Sequence, residues 1–189
     1  MTKAYIVVEG PSDAEILRAL LDKTLLEDVK FINGEGKYGA ETMARSLLLD
    51  RHIPVLLVID ADTSNPEAIR SYQQDLEFLT RSAAMGAPYK ILQAVPTIEV
   101  VFLQDRTLFE QLINRQFSDL EWQLGQKHPK ELINQSPEGA TSFIKATLSN
   151  LTDSMRHTFR QHPLIQEITA FLTTQVHSSD TVTSVHNAS

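Results

Sequence analysis

Four short apolar runs, separated by segments of helix length, restrict what this chain can become. They lie at 4–8, 29–32, 55–59 and 89–95, are rich in β-branched and aromatic residues, and are too short to be helices. The run Val55-Leu56-Leu57-Val58-Ile59 has no polar alternation, which predicts a strand covered on both faces. Between the runs the period changes to that of helices. Pro11 suits a first helical position, Ser12-Asp13-Ala14-Glu15 has capping-box spacing, and Ile16, Leu17, Leu20, Leu21 and Leu25 form one apolar face. A second helix is predicted over roughly 39–50, after the turn Asn33-Gly34-Glu35-Gly36-Lys37. A third starts at Pro66, carries Ile69, Tyr72, Leu76 and Leu79 as its inner stripe, and breaks at Met85-Gly86-Ala87-Pro88. The order β-α-β-α-β-α-β predicts an α/β fold with a parallel central sheet of about four strands and right-handed crossovers, occupying 1–105.

From Thr97 onward the strand signal disappears. Helical patterns run through 98–103, 108–117, 131–134, 140–151 and 164–176, with starts marked by Ser136-Pro137 and His162-Pro163. This predicts a helical extension, 106–176, packed on the α/β domain, and a polar disordered tail, 177–189. Trp122 and Phe117 are expected to pack inside the helical half.

The 189 residues suit one domain with a helical appendage, and a hydrophobic content of 42% supports a real core. No run approaches the ~18–20 apolar residues of a membrane span. The absence of cysteine excludes disulfides, thiolate zinc sites and thiol catalysis, and fits a cytoplasmic setting, as does a start that enters a strand with no secretory pattern. Net charge is −7 and uneven: 1–105 hold 16 acidic and 10 basic residues, 106–189 hold 8 and 7. No basic patch advertises passive coating of nucleic acid. An acidic centre can still meet a polyphosphate when metal ions bridge them.

The sharpest chemical signal is Asp60-Ala61-Asp62, at the carboxyl end of the third strand. In an extended chain i and i+2 point the same way, so both carboxylates are expected to project together from the sheet edge where open α/β folds bind ligands. Paired anions with hard oxygens suit Mg²⁺ or Mn²⁺. Glu9 ends the first strand and Glu99 follows the fourth, so four acidic positions fall on one rim. Plainer roles stand beside these. Asp62, Ser64 and Asn65 could cap the following helix; Asp13 and Glu15 suit a helix start; Glu99 suits a first helical turn; Lys37 could be an ordinary exposed turn lysine. The six histidines show no metal-ligand spacing.

Ile6-Val7-Val8-Glu9-Gly10-Pro11-Ser12-Asp13 and Val58-Ile59-Asp60-Ala61-Asp62 together resemble the glutamate and DxD motifs of the Toprim family, the catalytic domain of topoisomerases, bacterial primases, small-RNA maturases and OLD-type nucleases. Gly34, Gly36 and Lys37 sit where OLD-type domains often carry a glycine-lysine turn, and Pro96-Thr97-Ile98-Glu99 looks like a helix start of that branch. The resemblance covers roughly 3–105. It implies metal-dependent phosphoryl transfer on DNA or RNA, with Asp60 and Asp62 holding Mg²⁺ or Mn²⁺. It implies further that Glu9 acts as general acid/base or metal ligand, that Glu99 completes a second metal site, and that Lys37 neutralises a phosphate oxygen. Gly10, Asp13 and Gly36 are secondary candidates. The chain has no P-loop, so an OLD-type assembly would need a separate ATPase partner; no DNA-gate or zinc-binding region accompanies the motifs. Two other readings stay open. One is a haloacid-dehalogenase-like phosphatase with Asp60 as nucleophile and Ser64 at +4. The other is a non-enzymatic Toprim-fold module that docks on a partner through 106–189.

Overall fold

The computed structural model describes residues 2–134 and 148–183. Strands β1 (Ala4–Val8), β2 (Val29–Asn33), β3 (Val55–Asp60) and β4 (Tyr89–Ala94) form one all-parallel sheet in the order β2-β1-β3-β4. Val8 is paired with Asn33 on one side and Val58 on the other, so β1 and β3 are the inner strands. Every residue of both is buried, as the unbroken apolar runs require.

Helices α1 (Pro11–Leu20), α3 (Lys37–Arg51) and α4 (Pro66–Ala84) make the crossovers, and a single turn, α2 (Lys23–Leu26), precedes β2. Alternating side chains split the core in two. Tyr5, Val7, Val55, Leu57, Ile59 and Ile91 face α3 and α4. Ile6, Val8, Leu56, Val58 and Leu92 face α1 and the helical half. Of the predicted α1 face, Ile16, Leu17, Leu20 and Leu21 are buried, whereas Leu25 sits half-buried on α2. Leu79 is half-exposed, so the inner stripe of α4 narrows to Leu76, Thr80 and Ala84, with Tyr72 partly covered.

Beyond β4 a 3-10 turn (Ile98–Phe102) replaces the predicted helix over 98–103. Then come α5 (Arg106–Ile113), α6 (Asp119–Lys127), α7 (Pro129–Asn134), α8 (Asp153–Arg160) and α9 (Pro163–Thr183). The pattern over 108–117 is cut at Asn114, which takes a left-handed conformation (φ 53°) and ends α5. Helices α6 and α8 lie outside the predicted patterns; their caps, Ser118 with Glu121 and Thr152, start them although each carries few apolar residues. The pattern over 140–151 and the Ser136-Pro137 start fall almost wholly outside the described residues. The tail expected from 177 is corrected in part, because α9 continues to Thr183: intrahelical backbone bonds do not need an apolar stripe to continue.

The helical half completes the α1-side core. Ile165, Ile168 and Leu172 of α9 are buried with Phe102, Phe109 and Phe159. Phe109, Phe117 and Trp122 cluster at centroid separations of 5.7–6.4 Å, the packing role expected for the last two. Arg156 of α8 donates to the Ala19 carbonyl at 2.6 Å, and Arg160 donates to Leu20 and Leu21, so cations cap the end of α1. No helix among the described residues is long and apolar enough to cross a membrane.

Candidate active site

Chain β1 leads outward to β2 on one side, and the chain returns to β3 on the other. The β1–β3 boundary is therefore the point where winding reverses and the helices diverge, leaving a crevice at the carboxyl ends. Glu9 and Asp60 stand at that boundary. Glu9 Oε1 accepts the Asp60 backbone N–H at 2.8 Å, tying the two strand ends together. The next turn is also sewn to β1: Gly34 N–H donates to the Val8 carbonyl and Gly36 N–H to the Glu9 carbonyl. Gly34 is pressed so closely on α3 that a Cβ there would sit 2.2 Å from the Ala40 nitrogen. Gly36, at φ 110°, uses a conformation open to glycine and delivers Lys37 into the first turn of α3.

The two aspartates of the DxD stretch do not share a direction, contrary to the i, i+2 expectation. Asp60 is the last residue of β3. Asp62 has φ 54°, so strand alternation has already ended. Loop bonds from Ala61 N–H to the Ala94 carbonyl and from Asp62 N–H to the Pro96 carbonyl fix this reversal. Asp60 is 4% exposed; its Oδ1 accepts the Ile98 N–H at 2.8 Å and its Oδ2 meets the Lys130 ammonium at 2.5 Å. Asp62, with its side chain largely exposed, pairs instead with Lys37. That ammonium also lies 5.6 Å from the centre of the Tyr72 ring. The Tyr72 hydroxyl donates to Glu41, which is almost wholly buried, and Arg45 completes this small network.

Asp13 and Glu99 close the other side. Asp13 Oδ2 accepts the Gly10 N–H at 2.9 Å, so Gly10 and Asp13 take structural positions at the start of α1. Glu99, in the 3-10 turn, is buried, and neither its Oε2 nor the adjacent Thr97 hydroxyl has a hydrogen-bond partner of good geometry. Burial is the main reason that Asp13 is pushed up to about 6, with the charges of Asp60 and Glu99 adding to it. Glu9 and Glu99 are likewise raised, first by burial and then by Asp60. The hydrogen bond from Asp60 N–H pulls Glu9 back in part. Lys130 is lowered by burial, yet the bond to Asp60 and the charges of Glu99 and Asp13 raise it overall.

All the predicted site residues thus gather at one rim: Glu9 between the two aspartates, Asp62 with Lys37 on the α3 side, and Asp60 with Glu99 and Asp13 on the α1 side. Among the described residues no three carboxylates or histidines stand in ligating geometry, and two lysines take oxygens of the aspartates. The donor set nevertheless suits a hard divalent ion. It has surplus carboxylates held at raised pKa, and one buried carboxylate oxygen has no partner.

Lys130 was missed from the sequence. It sits in a six-residue helix seventy positions from Asp60, and an isolated Pro-Lys-Glu helix start carries no signal of that contact. Next to it a cleft of about 510 Å³ is lined by Asp62, Thr63, Ser64, Pro96 and Thr97 on one wall and by the α6–α7 corner on the other. No family model matches this chain, and neither the curated proteins nor the solved structures contain a significant match to it.

Proposed function

We propose that this protein carries out metal-dependent phosphoryl transfer on nucleic acid, as a Toprim-type nuclease or nuclease subunit. The observation that carries the reading is the bond from Asp60 N–H to Glu9 at the switch point of the sheet, which brings both sequence motifs to one crevice. Asp60 and Glu9 would hold Mg²⁺ or Mn²⁺, with Glu99 offering a further oxygen; Asp62, turned toward Lys37, stands outside this set. When bound, the ion neutralises charge on the transferring phosphoryl group. Burial keeps the Glu9 proton affinity above that of an ordinary glutamate, which suits it to hold or pass a proton beside the reacting group. Lys37, anchored by the Gly36 turn, would turn from Asp62 to a non-bridging phosphate oxygen.

The phosphatase alternative is weaker. Both oxygens of Asp60 are engaged and the residue is nearly enclosed, a poor setting for an attacking carboxylate. Cleavage of plasmid DNA and of RNA with Mg²⁺ or Mn²⁺ tests the proposal. Wild type should cut and Asp60→Ala should not; equal activity in the two would refute it.

A further inference from the structure

The cleft beside Asp62 extends beyond the acidic centre to the α6–α7 corner. One wall carries the hydroxyls of Thr63 and Ser64 and the ring of Pro96; the other carries Lys127, Pro129 and Lys130. Lys130 joins cleft and centre: its side chain is about half exposed, yet its ammonium reaches a carboxylate that is 5% exposed. Lys130 therefore stands between the cleft and Asp60. Of the two carboxylates on its lining, Asp62 is engaged by Lys37, and Glu131 has the His128 ring at 3.8 Å, an ion pair only when that ring is protonated. Lys127 has no carboxylate within ion-pair distance among the described residues. The corner is also held by apolar packing. Leu132 and Ile133 are buried, and a Cβ on Gly125 would stand 2.4 Å from Leu132, so α6 and α7 fit closely.

We propose that this cleft seats one strand of nucleic acid, with Lys127 and Lys130 on its phosphates, the Thr63 and Ser64 hydroxyls as added donors, and the proline rings against sugar. The inference rests on the phosphoryl-transfer reading and supplies its substrate site. Phosphate contacts of this kind set register without reading sequence. The volume lies within the range of small-ligand sites and matches one nucleotide unit of a single strand or a frayed end. As a phosphate arrives, Lys130 moves from Asp60 to the substrate and leaves Asp60 Oδ2 open.

The test is fluorescence anisotropy of a fluorescein-labelled 12-mer, as DNA and as RNA of the same sequence, with the full chain and Ca²⁺ replacing Mg²⁺ to suppress hydrolysis. Lys127→Gln and Lys130→Gln should each weaken binding on the order of five-fold and reduce the salt dependence, d log K/d log[salt], by about 0.7. Lys130→Arg should restore both. Lys90→Gln should change neither, because Lys90 pairs with Glu167 from the amino end of β4, the opposite edge of the sheet. A preference for the DNA or the RNA strand would support the cleft and name its sugar. Wild-type affinity and salt slope in both glutamine variants would overturn the proposal, as would tighter binding of a blunt duplex than of either strand. If the lysine variants bind normally while Asp60-dependent cleavage persists, the cleft is refuted and the nuclease reading stands. If they lose binding while wild type cleaves nothing in Mn²⁺, the cleft is supported and the nuclease reading falls.

Discussion

Replacing Lys130 by methionine is the most informative single perturbation of the folded centre. The Asp60 carboxylate is nearly enclosed and lies close to the like charges of Glu9, Asp13 and Glu99; Lys130 is the cation on its outer oxygen. Removing one partner of a fully buried ion pair costs about 3–5 kcal/mol. The Lys130 side chain is half exposed, so solvent recovers part of the loss, and Asp60 keeps its bond from Ile98 N–H. The expected cost is then about 2 kcal/mol at pH 7, or a fall of about 4–8 °C in Tm for a domain of this size. Urea denaturation of wild type, Lys130→Met, Asp60→Asn and the double variant measures it. Asp60→Asn should cost little, because it removes an anion from a crowd of anions. The double variant should therefore be more stable than Lys130→Met alone, with a coupling of about 1–2 kcal/mol. A Lys130→Met protein within ~0.5 kcal/mol of wild type, at unchanged m-value, would refute the placement of α7 over Asp60.

Stability should rise on mild acidification. Asp13 is pushed from 3.8 up to about 6 in the folded chain, so between these values the native state holds more protons than the unfolded one and ∂ΔG/∂pH is negative. The cost is fully present above pH ~7 and vanishes toward pH ~4; discounted for partial exposure, Asp13→Asn should stabilise by about 1–2 kcal/mol at pH 7, a difference that closes by pH ~4 in denaturation curves. Lys37→Ala should reduce kcat for cleavage by about 10²-fold, while stability changes by less than ~1 kcal/mol because its pair with Asp62 is solvent-exposed. A steady-state assay alongside thermal melts separates the two effects. Gly34→Ala should cost more than ~3 kcal/mol or prevent folding, since its Cβ would collide with backbone atoms of Ala40 that no side-chain rotation can clear. Soluble yield and melting temperature read this out.

Period alone was enough for the α/β half. The apolar run of β3 has no polar alternation, and that is the mark of a strand covered on both faces, so its central place and the parallel order of the sheet could be read before any coordinates. Glu9, Asp60 and Glu99 were legible because each ends or follows a strand, and parallel strands bring their carboxyl ends to one edge. Helices α6 and α8 were not legible. Their caps, Ser118 with Glu121 and Thr152 with Met155, are local, but the burial of Phe159 and Trp122 that holds the helices in place is against other elements, which a window over the helix does not contain.

The sequence by itself determined the layered sheet and which acidic residues reach its rim, because side-chain alternation and crossover handedness are local rules. Tertiary structure alone decided how those groups are balanced. It turned Asp62 away from Asp60 through one left-handed residue, buried Asp13 enough to raise its proton affinity, and brought Lys130 across seventy positions onto Asp60. Charge balance at a buried centre depends on which elements pack around it, and packing over such separations leaves no trace in any single stretch of chain.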